Sequence, residues 1–449
     1  MSLNRRQWLA RCAAGGLATG LGAWSLRGNA APGDYRSLVV IYLDGGNDGS
    51  DCLVPTDGAY ADYARCRQNL ALPKESLLAL PAPTIGHSFG LHPALGPLRG
   101  LYEQGRLGFI ANVGPLVEPC TAASILAGQS DVPPLLGSHS DQTAIVQGWG
   151  VSEDQSGWAG RGLELLPARL RHGLSALTWS THRTLVQGRR SPVSYFDPEG
   201  SSWWGLGDLL RPQEAGMQML ARMAQWQSAN AYEAEYARTF STGFSDATAV
   251  AKAMAQAQTP SQDFGSNDRI ATGLRRLASV LPVFKAQGLK RQVFQLHWGG
   301  FDTHANQRGS GSTTQDAQLD LLAKALAAFD AANRASGMDQ EVVTLVMTEF
   351  GRTLRPGSGG GSEHGWGNHW WLFGGPVAGG QAVGTFPSLV LGGPDDSDGG
   401  KNGRLVPSLS SDQVGATLME WLGLESAALL DVFPLLANFP TKTLPLLRA

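Results

Sequence analysis

Five short runs of β-prone residues, and the side chains that directly follow three of them, constrain this chain most. Ser37-Leu38-Val39-Val40-Ile41-Tyr42-Leu43 leads straight into Asp44-Gly45-Gly46, and residues 342–347 lead into Thr348-Glu349. Residues 107–113 and 293–297 repeat the pattern, and Trp370-Trp371-Leu372-Phe373 before Gly374-Gly375 adds a fifth run. Unbroken apolar runs of this length suit strands buried on both faces, as in a parallel sheet. Helical spacing lies between them. Leu319, Leu322, Leu326 and Phe329 recur at three- and four-residue steps after Thr313-Thr314, with Gly337 as a stop. Residues 213–240 and 270–284 are further predicted helices. The alternation predicts an α/β fold, a mostly parallel sheet with helices on both faces. Residues from about 180 to 265, turn-rich and then rich in Ala, Gln and Met, read as an insertion or cap.

The amino terminus reads as an address. Arg5-Arg6 precede Gln7-Trp8-Leu9, an uncharged stretch covers residues 12–26, and Gly28-Asn29-Ala30 offers a small-x-small cleavage pattern. The expectation is a twin-arginine signal peptide over residues 1–30 and a periplasmic or extracellular mature protein; an uncleaved amino-terminal anchor is the alternative. The apolar stretch is too short to span a bilayer, and no transmembrane span is expected in the mature chain. Of the 35 basic residues, four arginines fall in residues 1–30, leaving 31 against 38 acidic residues and a net charge of −7. That balance argues against nucleic acid as a partner. Cys52, Cys66 and Cys120 remain after the leader; one disulfide among them is permitted in an oxidising compartment but not demanded.

Ligands of parallel α/β sheets bind beyond the carboxyl ends of the strands. There this chain places Asp44, then Phe301-Asp302-Thr303-His304, then Glu349. Asp302 and His304, two apart, face the same way on extended backbone. A Gly-rich loop then delivers Glu363-His364-Gly365-Trp366-Gly367-Asn368-His369. Carboxylates mixed with imidazoles suit zinc, manganese or calcium rather than a thiolate site. Bland readings stand beside this one: Asp44 as a helix cap, Glu349 as an ion-pair partner of Arg352, His364 and His369 as hydrogen-bonded loop residues. Ser138-His139-Ser140-Asp141-Gln142 offers a hydroxyl nucleophile, or equally a helix amino-terminal cap. Trp149, Trp158, Trp203, Trp204, Trp298, Trp366, Trp370 and Trp371 lie in or near these loops and fit either substrate stacking or packing.

Together, Asp44-Gly45-Gly46-Asn47-Asp48-Gly49, Leu91-His92-Pro93, Ser138-His139, Gly157-Trp158-Ala159-Gly160-Arg161, Phe301-Asp302-Thr303-His304, Thr348-Glu349-Phe350-Gly351-Arg352 and Glu363-His364-Gly365 resemble the domain of unknown function 1501 family. The resemblance covers nearly the whole mature chain and implies twin-arginine export and an alkaline-phosphatase-like fold over residues 31–449. It further implies one or two divalent metal ions. Asp302 and His304, with His369 or His364, would hold one; Asp44, Glu349 and the Ser138 hydroxyl would hold the other. The chain departs from the superfamily in having Glu349-Phe350 where an Asp-His pair is usual, in the close spacing of Asp302 and His304, and in Glu363 where the family usually has Asp. The segment from 115 to 137 is also longer than usual. The expected function is a metal-dependent hydrolase of phosphate or sulfate esters, small or part of an envelope polymer, with Ser138 and His139 as catalytic residues. The alternative is a non-catalytic envelope binding or assembly protein on the same fold.

Overall fold

The computed structural model of the chain describes residues 34–148, 155–180, 182–196 and 213–448. The expected signal peptide, Trp149, Trp203 and Trp204 lie outside the described residues. All five expected runs are strands of one nine-stranded sheet. Its members are β1 (Arg36–Leu43), β2 (Leu107–Gly114), β3 (Ala176–Thr178), β4 (Ser194–Tyr195), β5 (Arg291–Trp298), β6 (Val342–Met347), β7 (Asn368–Phe373), β8 (Ala382–Gly384) and β9 (Leu409–Ser410). Across the sheet they run β8-β2-β7-β6-β1-β5-β3-β4, with β9 beside β2. β7 pairs antiparallel with β2 and β6, while the other pairings within this sheet are parallel.

β1 shows why the unbroken apolar pattern forms a central strand. Successive side chains point to opposite faces, so Val39, Ile41 and Leu43 enter one core and Leu38, Val40 and Tyr42 the other. Burying each apolar side chain of this size contributes about 1.5–3 kcal/mol relative to exposure. The first core is closed by Leu274 and Leu277 of the helix Arg269–Ala286 and by Leu319, Leu322 and Leu326 of the helix Gln315–Ala335. Val414 and Leu418 of the helix Ser411–Trp421 and Trp158 of the helix Trp158–Leu165 close the second. Helices therefore cover both faces.

Helix ends follow their caps. Thr314 accepts from Ala317 N at 3.2 Å to open Gln315–Ala335, and Asp268 accepts from Ala271 N at 2.9 Å to open Arg269–Ala286. The helix expected over 213–240 is instead two, Ala215–Met223 and Ala231–Gln256. Asn230 starts the second by accepting from Tyr232 N and Glu233 N, a capping geometry that a continuous helix cannot contain. The longer of the two packs on Arg269–Ala286 and edge strand β4.

Trp158, Trp366, Trp370 and Trp371 are buried core residues, and Trp298 is partly buried against the first core. Packing, not an exposed stacking surface, is what these indoles serve. Cys52, Cys66 and Cys120 are free thiols. Among the described residues no helix is long and apolar enough to cross a membrane.

Candidate metal centre

β5, β1 and β6 lie side by side, with Leu43 opposite Trp298 and Tyr42 opposite Met347. Their carboxyl ends finish together, so Asp44, residues 299–304 and Thr348-Glu349 emerge at one edge. Gly45 then turns back with φ +115°, and a Cβ there would stand 2.2 Å from Asp302 N. Only glycine lets the first loop press on the second. A hairpin of Arg352–Pro356 and Ser362–His364 places Arg352 opposite His364. Its Gly-rich tip, residues 357–361, clasps the Asp302 loop through Asn306 N to Gly359 O (3.1 Å), Gln307 N to Gly360 O (3.2 Å) and Ser362 N to Thr303 O (3.1 Å).

These loops bring three imidazoles onto one carboxylate. Asp302 Oδ1 lies 3.0 Å from His304 Nε2 and 3.1 Å from His364 Nε2, and Asp302 Oδ2 lies 3.4 Å from His139 Nε2. His304 Nε2 and His364 Nε2 are 2.9 Å apart. The opposite nitrogen of each ring is engaged. His364 Nδ1 donates to Gly137 O at 2.6 Å, since a carbonyl can only accept. His139 Nδ1 donates to Glu349 Oε1 and His304 Nδ1 to Glu363 Oε2, each at 2.8 Å. The Nε2 atoms of all three rings thus face the Asp302 carboxylate, and two of them stand at hydrogen-bond distance from each other, a spacing that requires a proton or a metal cation between them.

The donor set suits a cation. Donors around a tetrahedral ion with bonds of about 2.0–2.1 Å are about 3.4 Å apart; His139, Asp302 and His364 offer donor atoms that all lie within 4.8 Å of one another, and His304 adjoins them through Asp302 at 3.0 Å and His364 at 2.9 Å. Metal-binding histidines characteristically give their second nitrogen to a carboxylate or carbonyl, as all three do. Asp302, His304 and His139 are each about two-fifths exposed while Glu349 and Arg352 beneath are buried, so the cluster opens to solvent on a fixed floor. Burial opposes the Asp302 charge, but the contacts of His364, Arg352 and His304 outweigh it and hold its carboxyl below the usual range. The hydrogen bond to Glu349 raises His139 above the usual imidazole value, whereas burial lowers His364.

Of the residues singled out by sequence, Asp302, His304, His364 and His139 come together here. Glu349 touches the cluster indirectly: Oε1 accepts from His139 and from Gly45 N at 2.8 Å, and Oε2 accepts from Thr348 Oγ1 at 2.8 Å. Asp44 faces a different partner, His297, whose Nδ1 lies 3.1 Å from Oδ2. Ser138 Oγ donates to Asp141 Oδ2 in the first turn of the helix His139–Gly148, and Gln142 donates to Pro134 O and Leu135 O. His369 sits elsewhere, on β7. Its Nδ1 accepts from Asn112 N at 3.0 Å and its ring stacks on Phe386; burial takes its pKa down to about 4.

Sequence reasoning missed several contributors. Arg352 binds Asp302 Oδ1 at 3.0 Å instead of Glu349, and Glu363, read only as part of a motif, orients His304. His297 and His182 join Asp44, each offering a donor atom within 4.8 Å of the others. Beneath the first loop, Asp51 takes Arg67 Nη2 at 3.1 Å, Arg308 Nη2 at 2.7 Å and Gln307 Nε2 at 2.9 Å. Burial opposes its charge, yet the two guanidiniums keep its carboxyl below the ordinary range. Gln307 also accepts from Ser362 Oγ at 2.6 Å, tying this buried network to the hairpin.

The fold and the cluster define an α/β protein with a histidine and carboxylate centre at the carboxyl edge of a mostly parallel sheet. The chain belongs to the family described as protein of unknown function (DUF1501), whose model matches residues 35–393. A search of curated proteins finds no match. Among solved structures, similarity is found to Ps i-CgsB in complex with k-i-k-neocarrahexaose, at 12% identity and TM-score 0.33 over 87% of this chain and 72% of that one. It is also found to the lipoteichoic acid synthase LtaP from Listeria monocytogenes, at 8% identity and TM-score 0.32 over 87% and 72%. The phosphonate monoester hydrolase SpPMH from Silicibacter pomeroyi is similar at 11% identity and TM-score 0.32 over 87% and 74%.

Proposed function

We propose that the protein is an exported, metal-dependent hydrolase of phosphate or sulfate esters, working with one divalent cation held by His139, Asp302, His304 and His364. The observation that carries this reading is the convergence of three Nε2 atoms on Asp302 with every Nδ1 already bonded. Three imidazoles favour a transition metal such as zinc or manganese over calcium, which takes oxygen ligands. What a cation supplies at such a place is positive charge opposite an ester oxygen. The chain's own residues do the rest. Arg352 fixes Asp302 from below, Glu349 and Glu363 fix the tautomers of His139 and His304, and the Ser138 hydroxyl, already donating to Asp141, is the candidate nucleophile. Asp44 remains a second carboxylate of the site. Residues from about 180 to 265 are read as an insertion or cap, one that includes edge strand β4. Export by the twin-arginine route rests on Arg5-Arg6 and is part of the same proposal.

The count of donors favours a second reading. If His304 joins His139, Asp302 and His364, four protein ligands complete a tetrahedral shell, as structural ions have, and the protein would then be a non-catalytic envelope binding or assembly protein. The two separate on a panel of phosphate and sulfate monoesters and diesters presented to metal-loaded protein. The hydrolase reading expects chelator-sensitive turnover that falls by roughly a hundredfold or more in Ser138→Ala. Full activity in that variant would assign attack to water. No turnover across the panel, with the ion retained, would replace the hydrolase by the binding protein.

A further inference from the structure

Asp44, His182 and His297 form a second group with the composition of a metal site, but the hydrogen bonds around His297 decide its chemistry differently. Leu185 N can only donate, so the Gln147 side-chain atom that it meets at 3.2 Å is the oxygen. The Gln295 atom 3.3 Å from that same oxygen must then be the nitrogen, because two oxygens would repel. Gln295 Nε2 lies 2.7 Å from His297 Nε2, which is therefore the acceptor and carries no proton. The proton of the neutral ring is on Nδ1, and Nδ1 faces Asp44 Oδ2 at 3.1 Å. No in-plane lone pair of His297 is left for a cation.

We propose that His297 is a positioning residue: it donates to Asp44 and fixes the direction of that carboxylate at the carboxyl end of β1, with its tautomer dictated by the Gln147–Gln295 pair. The relay is built from fixed parts. Gln147, Gln295 and His297 are all buried. The imidazole lies 4.8 Å from the Tyr42 ring and stacks on His182 at 4.9 Å, with planes 24° apart, and Trp179 Nε1 donates to His297 O at 3.2 Å. Asp44 is thereby held at one oxygen, Oδ2, and its other oxygen is the one assigned to the ester site. This role for Asp44 rests on the hydrolase reading; the tautomer and its contact to Asp44 do not.

The test has two arms. Long-range proton–nitrogen NMR correlation on metal-free protein at neutral pH reads the His297 tautomer directly. We expect a protonated Nδ1 and a bare Nε2, with that preference lost in Gln295→Leu; a protonated Nε2 in the wild type would overturn the proposal. The second arm compares His297→Asn, whose amide nitrogen can stand in for Nδ1, with His297→Gln, whose amide reaches toward the Nε2 position. Ester turnover should fall about tenfold or more in His297→Gln and return to within about threefold of wild type in His297→Asn, with equal melting temperatures. Equal losses in both would overturn the proposal. A wild-type protein inactive on every ester would instead defeat the hydrolase reading, and the NMR arm would still decide the tautomer.

Discussion

Glu349 accepts the Nδ1 proton of His139 at 2.8 Å from a position almost wholly out of water, and the same carboxylate oxygen takes the backbone N–H of Gly45, also at 2.8 Å. One buried acid thus locks the tautomer of a histidine and the turn that presses the first loop against Asp302. Sequence reading placed Glu349 at the centre as a ligand. In the structure its carboxylate bonds to His139, Gly45 and Thr348.

Replacing Glu349 by Gln keeps the size of the side chain and removes the charge that accepts the His139 Nδ1 proton and orients the ring. Cation affinity should fall about 10- to 100-fold, the usual cost of losing an outer partner of a metal-binding histidine. Competition against a chelator measures it. A change below about threefold would show that Glu349 does not act through His139.

Asp316 ties acid stability to the network under the first loop. Burial opposes its charge, but His92 Nε2 at 2.9 Å, Gly309 N at 2.9 Å and Arg308 Nη1 at 3.0 Å prevail and lower its pKa from 3.8 to about 2. A carboxyl whose folded pKa lies below its unfolded value stabilises the fold above the unfolded value, and loses that contribution as pH falls through the folded one. The contribution is on the order of 2 kcal/mol. Denaturant unfolding of wild type and Asp316→Asn should differ by that order near neutrality, with the gap closing between about pH 4 and pH 2. A gap that stays constant over this range would remove Asp316 from the account.

Export is proposed from Arg5-Arg6, which the twin-arginine route reads as an address. Changing both to Lys should leave the precursor in the cytoplasm, followed by cell fractionation. Unaltered export of the double variant would show the amino terminus to be a different kind of segment.

The sheet was legible because burial on both faces writes itself as an unbroken apolar run, as in β1 and β6. Asp302 and His304 were legible because strand-end loops are where such sheets collect polar side chains. What distance along the chain hides was not legible. Asp44 and His297 are 253 residues apart, and His297 reads in sequence as the end of an ordinary strand. Arg352, three residues from Glu349, invited a local ion pair, but pairing of the hairpin sets it opposite His364 and turns it to Asp302. His369 was grouped with His364 by closeness in sequence; the turn at 365–367 carries it into β7, where alternation buries it against Phe386. The helix break before Asn230 was missed because a Ser-Ala-Asn string does not by itself announce a cap.

The central claim is that Asp302 and its three histidines hold a metal. Elemental analysis of wild-type and Asp302→Ala protein, both purified without chelator, tests it most directly. The account predicts about one zinc- or manganese-type ion per wild-type chain and close to none in the variant. Equal metal content in two equally folded proteins would contradict it.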